Sequence, residues 1–251
     1  MRTTAFIPAR YESTRFPGKP LALIAGKPMI QHVYERASSC EEIQDVYVAT
    51  DDERILREVN RFGGKAVMTA MEHHSGSDRI AEAARALKLD DDGLIVNIQG
   101  DQPLFEPSSV VDLIRPFKTA GSEVPMSTLM YRIRNPEEIE DPNIVKVVTD
   151  GNGWALFFSR CPIPFYRDPG FEPIFFKHLG FYAQRLRFLR EFASLPPGRL
   201  ESAEKLEQLR ALENGYKIKV VETAYDSIEI DTPKDIKKVE RMIARRSPQI
   251  A

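Results

Sequence analysis

The first half of this chain alternates short apolar runs with stretches of helical period, and that alternation restricts the fold more than any other feature. Strand candidates are Thr4–Ile7, Val46–Ala49, Ala66–Met68 and Leu94–Ile98, and helix candidates are Pro28–Ser38, Asp52–Phe62, Ser77–Leu87 and Pro107–Phe117. The short runs are apolar nearly throughout, as strands are when helices cover both faces of a sheet. Their βαβαβαβα order predicts a doubly wound, mostly parallel α/β fold. Ligands of such sheets bind beyond the carboxyl ends of the strands. Here those ends turn polar, at Pro8-Ala9-Arg10, Thr50-Asp51-Asp52, Thr69-Ala70 and Gln99-Gly100-Asp101.

The second half changes character. Val145–Thr149 and Trp154–Ser159 read as a hairpin closed by Asp150-Gly151-Asn152-Gly153, and an aromatic, Pro-rich loop over 161–176 leads to a strand at Lys177–Gln184. Leu200, Ala203, Leu206, Leu209 and Leu212 recur at near-helical spacing and predict one helix with a core or dimer-facing stripe. Ile228–Asp231 reads as a short strand. Thr232, Pro233 and Asp235 then open a last helix with a cap, a first-turn proline and a capping box. The 251 residues suit a single α/β domain over 1–251 with an inserted region at about 125–200.

Hydrophobic residues make up 42% and charged residues 29%, enough for a sizeable core in a soluble protein. The net charge of −2 argues against nucleic acid as a partner, so an anionic ligand must meet a local positive cluster. No window is long and apolar enough to insert in a membrane, and the N-terminal MRTTAFIPAR does not read as a signal peptide. Cys40 and Cys161 have no C-x-x-C spacing and are expected to be buried thiols in a reducing cytoplasm.

One such cluster stands directly after the first strand. IPARYESTRFPGKPL, residues 7–21, brings Arg10, Arg15 and Lys19 onto a turn of small residues, where side-chain charge and backbone N–H groups can hold a polyphosphate. It is neither G-x-G-x-x-G nor G-x-x-x-x-G-K-[ST], so neither standard glycine fingerprint applies. The same residues also suit an ordinary solvated turn. Asp101, at a strand end and before Pro103, is either a turn cap or a Mg²⁺ ligand beside phosphate. Asp231 is either a helix-terminal acid or a second such ligand.

In His73-His74-Ser75-Gly76-Ser77-Asp78-Arg79, a serine can cap the third helix, and Gly76 and Arg79 can meet an anion or a base. The paired histidines lack the partners of a zinc site and are expected to be solvated or capping. Arg160, Lys177 and His178 flank the aromatic loop and read either as surface charge or as partners for an acidic substrate. Glu207 and Gln208 fall beside the leucine stripe, on what would be a solvated helix side.

Together IPARYESTRFPGKPL, HHSGSDRI, VNIQGDQP, KHLGFY, EKLEQLRALENG and DTPKDI, in this order from Phe6 to about Val239, resemble the 3-deoxy-D-manno-octulosonate cytidylyltransferases, the CMP-Kdo synthetases. Sialic-acid cytidylyltransferases share the opening I-P-A-R but continue with a different loop. The resemblance implies a nucleotide-diphospho-sugar transferase-like fold, a cytoplasmic homodimer, and transfer of CMP from CTP to an acidic octulosonate for lipopolysaccharide biosynthesis, with Mg²⁺ as cofactor. It places Arg10 and Lys19 on the triphosphate with Ala9 and Arg15 nearby, and Ser75, Gly76, Arg79 and Gln99 on the nucleotide. It makes Asp101 and Asp231 the metal carboxylates. It puts Arg160, His178, Tyr182, Gln184, Glu207 and Gln208 around the sugar.

Two departures stand out: Ser77-Asp78 where many members carry Thr-Glu, and Gln102 where many carry Glu. They are expected to tune the sugar pocket, which leaves the 8-amino-3,8-dideoxy sugar as an alternative substrate. A non-catalytic sugar-nucleotide binding protein is the alternative of another class.

Overall fold

The computed structural model describes residues 2–12, 16–73, 75–119, 124–168, 170 and 172–246. In chain order the elements begin β1 (Thr3–Ala9), a 3-10 turn (Lys19–Leu21), β2 (Leu23–Ile24), β3 (Lys27–Pro28), α1 (Met29–Ser38), β4 (Asp45–Thr50), α2 (Glu53–Arg61), β5 (Ala66–Met68), α3 (Gly76–Ala86), β6 (Leu94–Asn97) and α4 (Pro107–Thr119). They continue with β7 (Met126–Arg132), α5 (Glu137–Glu140), β8 (Lys146–Thr149), β9 (Ala155–Ser159), β10 (Phe176–Arg185), α6 (Leu186–Ser194), α7 (Arg199–Glu204), α8 (Leu209–Glu213), β11 (Ile218–Glu222) and α9 (Pro233–Arg246).

The chain forms two compact units, one of residues 1–89, 95–107 and 227–251 and one of residues 90–94 and 108–226. In the first, neighbouring strands run β6-β1-β4-β5, with β1–β4 and β4–β5 parallel. The parallel α/β expectation holds here because the strands are dry on both faces: Phe6, Ile7, Val48 and Ala49 are all fully buried. Helix α1 covers them with Met29, Ile30, Val33 and Ala37, and α2 with Ile55 and Val59. A smaller cluster of Ile24, Met29, Leu104, Ile230 and Val239 anchors α9 and the segment before it. That segment, Ile228–Asp231, is not a strand. Its apolar residues pack into this cluster, and its Ile230 amide bonds the carbonyl of Asp101 at 2.9 Å instead of a ladder.

In the second unit β10 pairs antiparallel with β7, and β11 lies parallel to β7 on its other side. The hairpin expected at 145–159 forms as β8 and β9. Its turn is held by the Asp150 carboxylate, which accepts from the amides of Asn152 and Trp154, both at 2.8 Å. The leucine stripe does not form one helix. Lys205 adopts φ 55, ψ 46, a left-handed conformation that ends α7, and α8 starts four residues later. Leu206 and Leu209 enter the core with Phe158, Phe188, Phe192 and Ile218, while Ala203 and Leu200 on α7 face water. Cys40 is buried as expected, but Cys161 is exposed; both are free thiols.

This split of the stripe has a measurable consequence. Leu209→Ala, at a fully buried position, should cost about 2–5 kcal/mol in urea denaturation, whereas Leu200→Ala should stay within about 0.5 kcal/mol. Equal losses would mean that the stripe packs as one continuous helix.

Candidate active site

The loop after β1 is shaped by Gly18, whose φ of +71 lies in the left-handed region and whose amide bonds the carbonyl of Tyr11 at 2.9 Å. The Tyr11 ring lies under the guanidinium of Arg54, 3.3 Å from its centroid, and Arg54 is bonded to Asp52, the N-cap of α2. Thus held, the chain delivers Lys19 to two acids. Its Nζ lies 2.6 Å from Asp101 Oδ2 and 3.8 Å from Asp231 Oδ1, and donates to the carbonyl of Ile230 at 2.9 Å.

These residues line one cleft of about 300 Å³ at the carboxyl ends of the strands. Ala9, Arg10, Gln99, Ser75, Gly76 and Arg79 line the same cleft. Nine of the expected nucleotide and metal residues therefore meet in one place. Arg15 and His74 lie outside the described residues. Arg10 is exposed in the cleft and has no ion pair among the described residues.

Arg79 is largely spent on the wall itself: it donates to Asp51 and Thr69, both at 2.6 Å, and to the carbonyl of Ala70 at 3.3 Å. Ser75 caps α3 by accepting from the Asp78 amide at 3.1 Å. His73 is therefore not the cap, and it is not simply solvated. Its Nε2 pairs with Glu82, which also accepts the Ala70 amide at 3.0 Å.

Asp101 and Asp231 are the residues here that could hold a cation. Both offer hard oxygen donors, and both already face a single positive charge. Among the described residues no group of three or more His, Cys, Asp or Glu converges, so a closed protein cage is not what they form.

Glu229 stands beside them, and nothing in its sequence context singles it out beyond its place two residues before Asp231. Burial first, and then the charges of Asp101 and Asp231, push its carboxyl up to about 7. The residue as a whole is exposed to water, which undercuts the burial contribution and leaves the two acidic neighbours as the cause of the upward shift. Gln102 is buried and donates to Glu229 at 2.9 Å while accepting from Ser227 at 2.7 Å. Its amide is thus bonded to two neighbours in its own unit. Ser77 is likewise buried, within the first turn of α3.

The expected sugar residues all lie in the second unit. Arg160 is fixed by two carbonyls, Glu204 at 2.7 Å and Pro142 at 2.8 Å. Lys177 is buried between Glu138 at 2.9 Å and Asp226 at 3.0 Å, so its charge is not on offer to a substrate. His178 does not serve as the expected cation. Its ring sits among Thr128, Phe158 and Tyr182, none of them charged, and burial pushes its pKa down to about 3. The Thr128 hydroxyl donates to the carbonyl of Phe181 at 2.7 Å, which leaves its oxygen to accept from His178 Nε2 at 2.9 Å. Glu207 and Gln208 fall in the turn between α7 and α8, not on a solvated helix side, because Lys205 has broken the helix. Gln184 and Gln208 are buried, and Gln184 Oε1 and Gln208 Nε2 have no hydrogen-bond partner among the described residues.

A family model described as Cytidylyltransferase matches residues 4–218. This chain belongs to the cytidylyltransferase family. Among its relatives, the protein named 8-amino-3,8-dideoxy-manno-octulosonate cytidylyltransferase from Shewanella sp. (strain ANA-3) is 57% identical over 244 residues, covering 97% of this chain and 99% of that one. The protein of the same name from Shewanella baltica (strain OS155) is 56% identical over the same shares. A solved structure of CMP:2-keto-3-deoxy-manno-octonic acid synthetase complexed with CTP superposes with a TM-score of 0.91 at 41% identity, covering 98% of this chain and 99% of that one. The cytidylyltransferase fold and its nucleotidyl-transfer activity follow from these likenesses. No helix among the described residues is long and apolar enough to cross a membrane.

Because His178 is held neutral in this cytidylyltransferase, folding should favour the form without the proton. The unfolded chain binds that proton near the ordinary value of about 6.5, so the contribution of His178 is complete above that pH. It is lost as pH falls from about 6.5 toward about 3, by at most about 1.4 kcal/mol per pH unit. Wild type should therefore lose stability relative to His178→Gln between pH 6.5 and 4.5 in denaturant titrations. Parallel pH profiles would place the imidazole in a water-like setting.

Proposed function

We propose that this cytidylyltransferase transfers CMP from CTP to 8-amino-3,8-dideoxy-manno-octulosonate, releasing pyrophosphate. The relatives at 56–57% identity that carry that name support the amino sugar. The 41% likeness to the CTP-bound synthetase supports CTP as donor and keeps the plain octulosonate as a second reading. The observation that carries the chemistry is the convergence of Lys19, Asp101 and Asp231 in a cleft that also holds Arg10. A sugar-nucleotide binder without catalysis has no use for a carboxylate pair beside a phosphate site.

In this reading the anomeric hydroxyl of the sugar attacks the α-phosphorus in line, and the bond to the departing pyrophosphate breaks. Arg10 and Lys19 hold the triphosphate and offset the charge that builds on the leaving group. The donor set of Asp101 and Asp231 fits Mg²⁺, which takes one or two carboxylates and fills its remaining positions with phosphate oxygens and water. Bound there, it supplies charge neutralisation and polarisation of the phosphoryl oxygens. The protein otherwise contributes position and charge, and no covalent nucleophile is required.

Gln184 and Gln208, with buried polar atoms unsatisfied among the described residues, are suited to sugar hydroxyls. His178 offers a neutral ring, and Tyr182, Arg160 and Glu207 complete the proposed sugar contacts. A homodimer in the cytoplasm belongs to the same reading. Phe165, 88% exposed, and Leu156, 61% exposed, are apolar surface that a second copy would cover.

Pyrophosphate release from CTP and Mg²⁺ tests this with the two sugars side by side. The amino sugar should give the higher kcat/KM. A preference for the plain sugar would reassign the substrate, and silence with both would return the binding-protein reading. Asp101→Asn should keep the fold and lose most turnover, and Lys19→Ala should lose roughly 10²–10³-fold in kcat. Near-normal rates in both variants would remove this cluster from the chemistry.

A further inference from the structure

Arg10 lines the cleft together with the cluster of Lys19, Asp101 and Asp231. With CTP as the proposed donor, the triphosphate belongs there, and the assignment of a base-reading wall rests on that proposal. The base must then meet the rest of the lining, which includes Gln99 and Gly100 and the segment leading into α3, with His73, Ser75, Gly76 and Arg79. Within the α3 segment two side chains are already engaged. Arg79 donates to Asp51, Thr69 and Ala70. The Ser75 hydroxyl accepts the Asp78 amide. Gly76 has no side chain to offer.

His73 is different. Its Nε2 is engaged by Glu82, and Nδ1 has no other partner among the described residues. Glu82 is itself pinned, because the same carboxylate oxygen accepts the amide of Ala70. An ionised carboxylate accepts only, so Nε2 must carry the proton in that bond. In the neutral ring this leaves a lone pair on Nδ1. A carboxylate that orients a histidine also sets its tautomer.

We infer that His73 reads the nucleotide base, with Nδ1 accepting a hydrogen bond from the exocyclic 4-amino group of cytosine and Glu82 acting as the positioning residue that fixes ring and tautomer. Uracil presents a carbonyl oxygen at the same place, and two acceptors facing each other leave both unpaired. This pair thereby makes the enzyme specific for CTP over UTP.

The test is a thermodynamic cycle read by calorimetry in the presence of Mg²⁺ and the absence of sugar. Binding of CTP is compared with that of UTP and of the analogue triphosphate bearing hydrogen in place of the 4-amino group. Wild type should bind CTP more tightly than either by about tenfold or more, and in His73→Ala the CTP-to-analogue ratio should fall by about tenfold. Glu82→Ala should lower the same ratio, while Glu82→Gln, whose amide oxygen can still accept from Nε2, should restore part of it. A role confined to holding the 69–75 segment would weaken all three nucleotides equally, and that result overturns the inference. A wild type that does not distinguish CTP from UTP overturns it too. If His73→Ala fails to fold, Glu82→Ala carries the cycle with the ring intact. Selective CTP binding that depends on His73, in a protein that turns over neither octulosonate, would leave this inference standing and remove the proposed function.

Discussion

The ammonium of Lys19 joins three stretches of chain that are remote in sequence. It bonds Asp101, which follows β6, approaches Asp231 ahead of α9, and takes the carbonyl of Ile230 between them. Two carboxylates and a third acid, Glu229, would repel one another at this spot without it. The side chains keep 18–30% exposure, so the attraction falls below the roughly 3–5 kcal/mol at stake when a fully buried pair is broken. Its value lies in position. The cluster sits at the carboxyl ends of a parallel sheet, where loop after loop arrives from a rigid strand.

The opposite demand, a wall that does not move, is met by α3. Arg79 and Glu82 reach back from that helix to the segment that follows β5, bonding both the carbonyl and the amide of Ala70. The helix is in turn capped by Ser75. Charge-assisted hydrogen bonds to backbone groups are among the stronger fixings available at a surface cleft. They explain why a stretch without regular structure can form part of a binding site. This cytidylyltransferase thus combines a cationic loop and a tightly bonded helix entry in one cleft.

Much of the first unit was legible because its signals are local. An apolar run ending in Gln99-Gly100-Asp101 announces both a buried strand and a polar terminus. Asp52 and Ser75 cap their helices through their own neighbours. What no local signal carries is convergence: Asp231 reaches Lys19 because Ile230 and Val239 pack beside Ile24 and Met29. The second unit was harder to read. Strand β7 carries Ser127 and Thr128 at full burial, which breaks the apolar pattern, since their hydroxyls are satisfied by the carbonyls of Leu113 and Phe181. Strand β11 is short and pairs with β7 from far along the chain. The leucine stripe misled because periodicity cannot register a single left-handed residue, Lys205. His178 misled because a histidine in the sequence carries no record of its neighbours, here Thr128, Phe158 and Tyr182.

Everything proposed for catalysis depends on Asp101 and Asp231 forming a cation-assisted triphosphate site beside Lys19. Calorimetric titration of CTP into wild type and Asp231→Asn, each with and without Mg²⁺, probes that site without the sugar. Mg²⁺ should strengthen CTP binding to wild type, and most of that gain should vanish in the variant although its fold is intact. An equal gain in both proteins would place the cation elsewhere and leave the carboxylate pair without its proposed role.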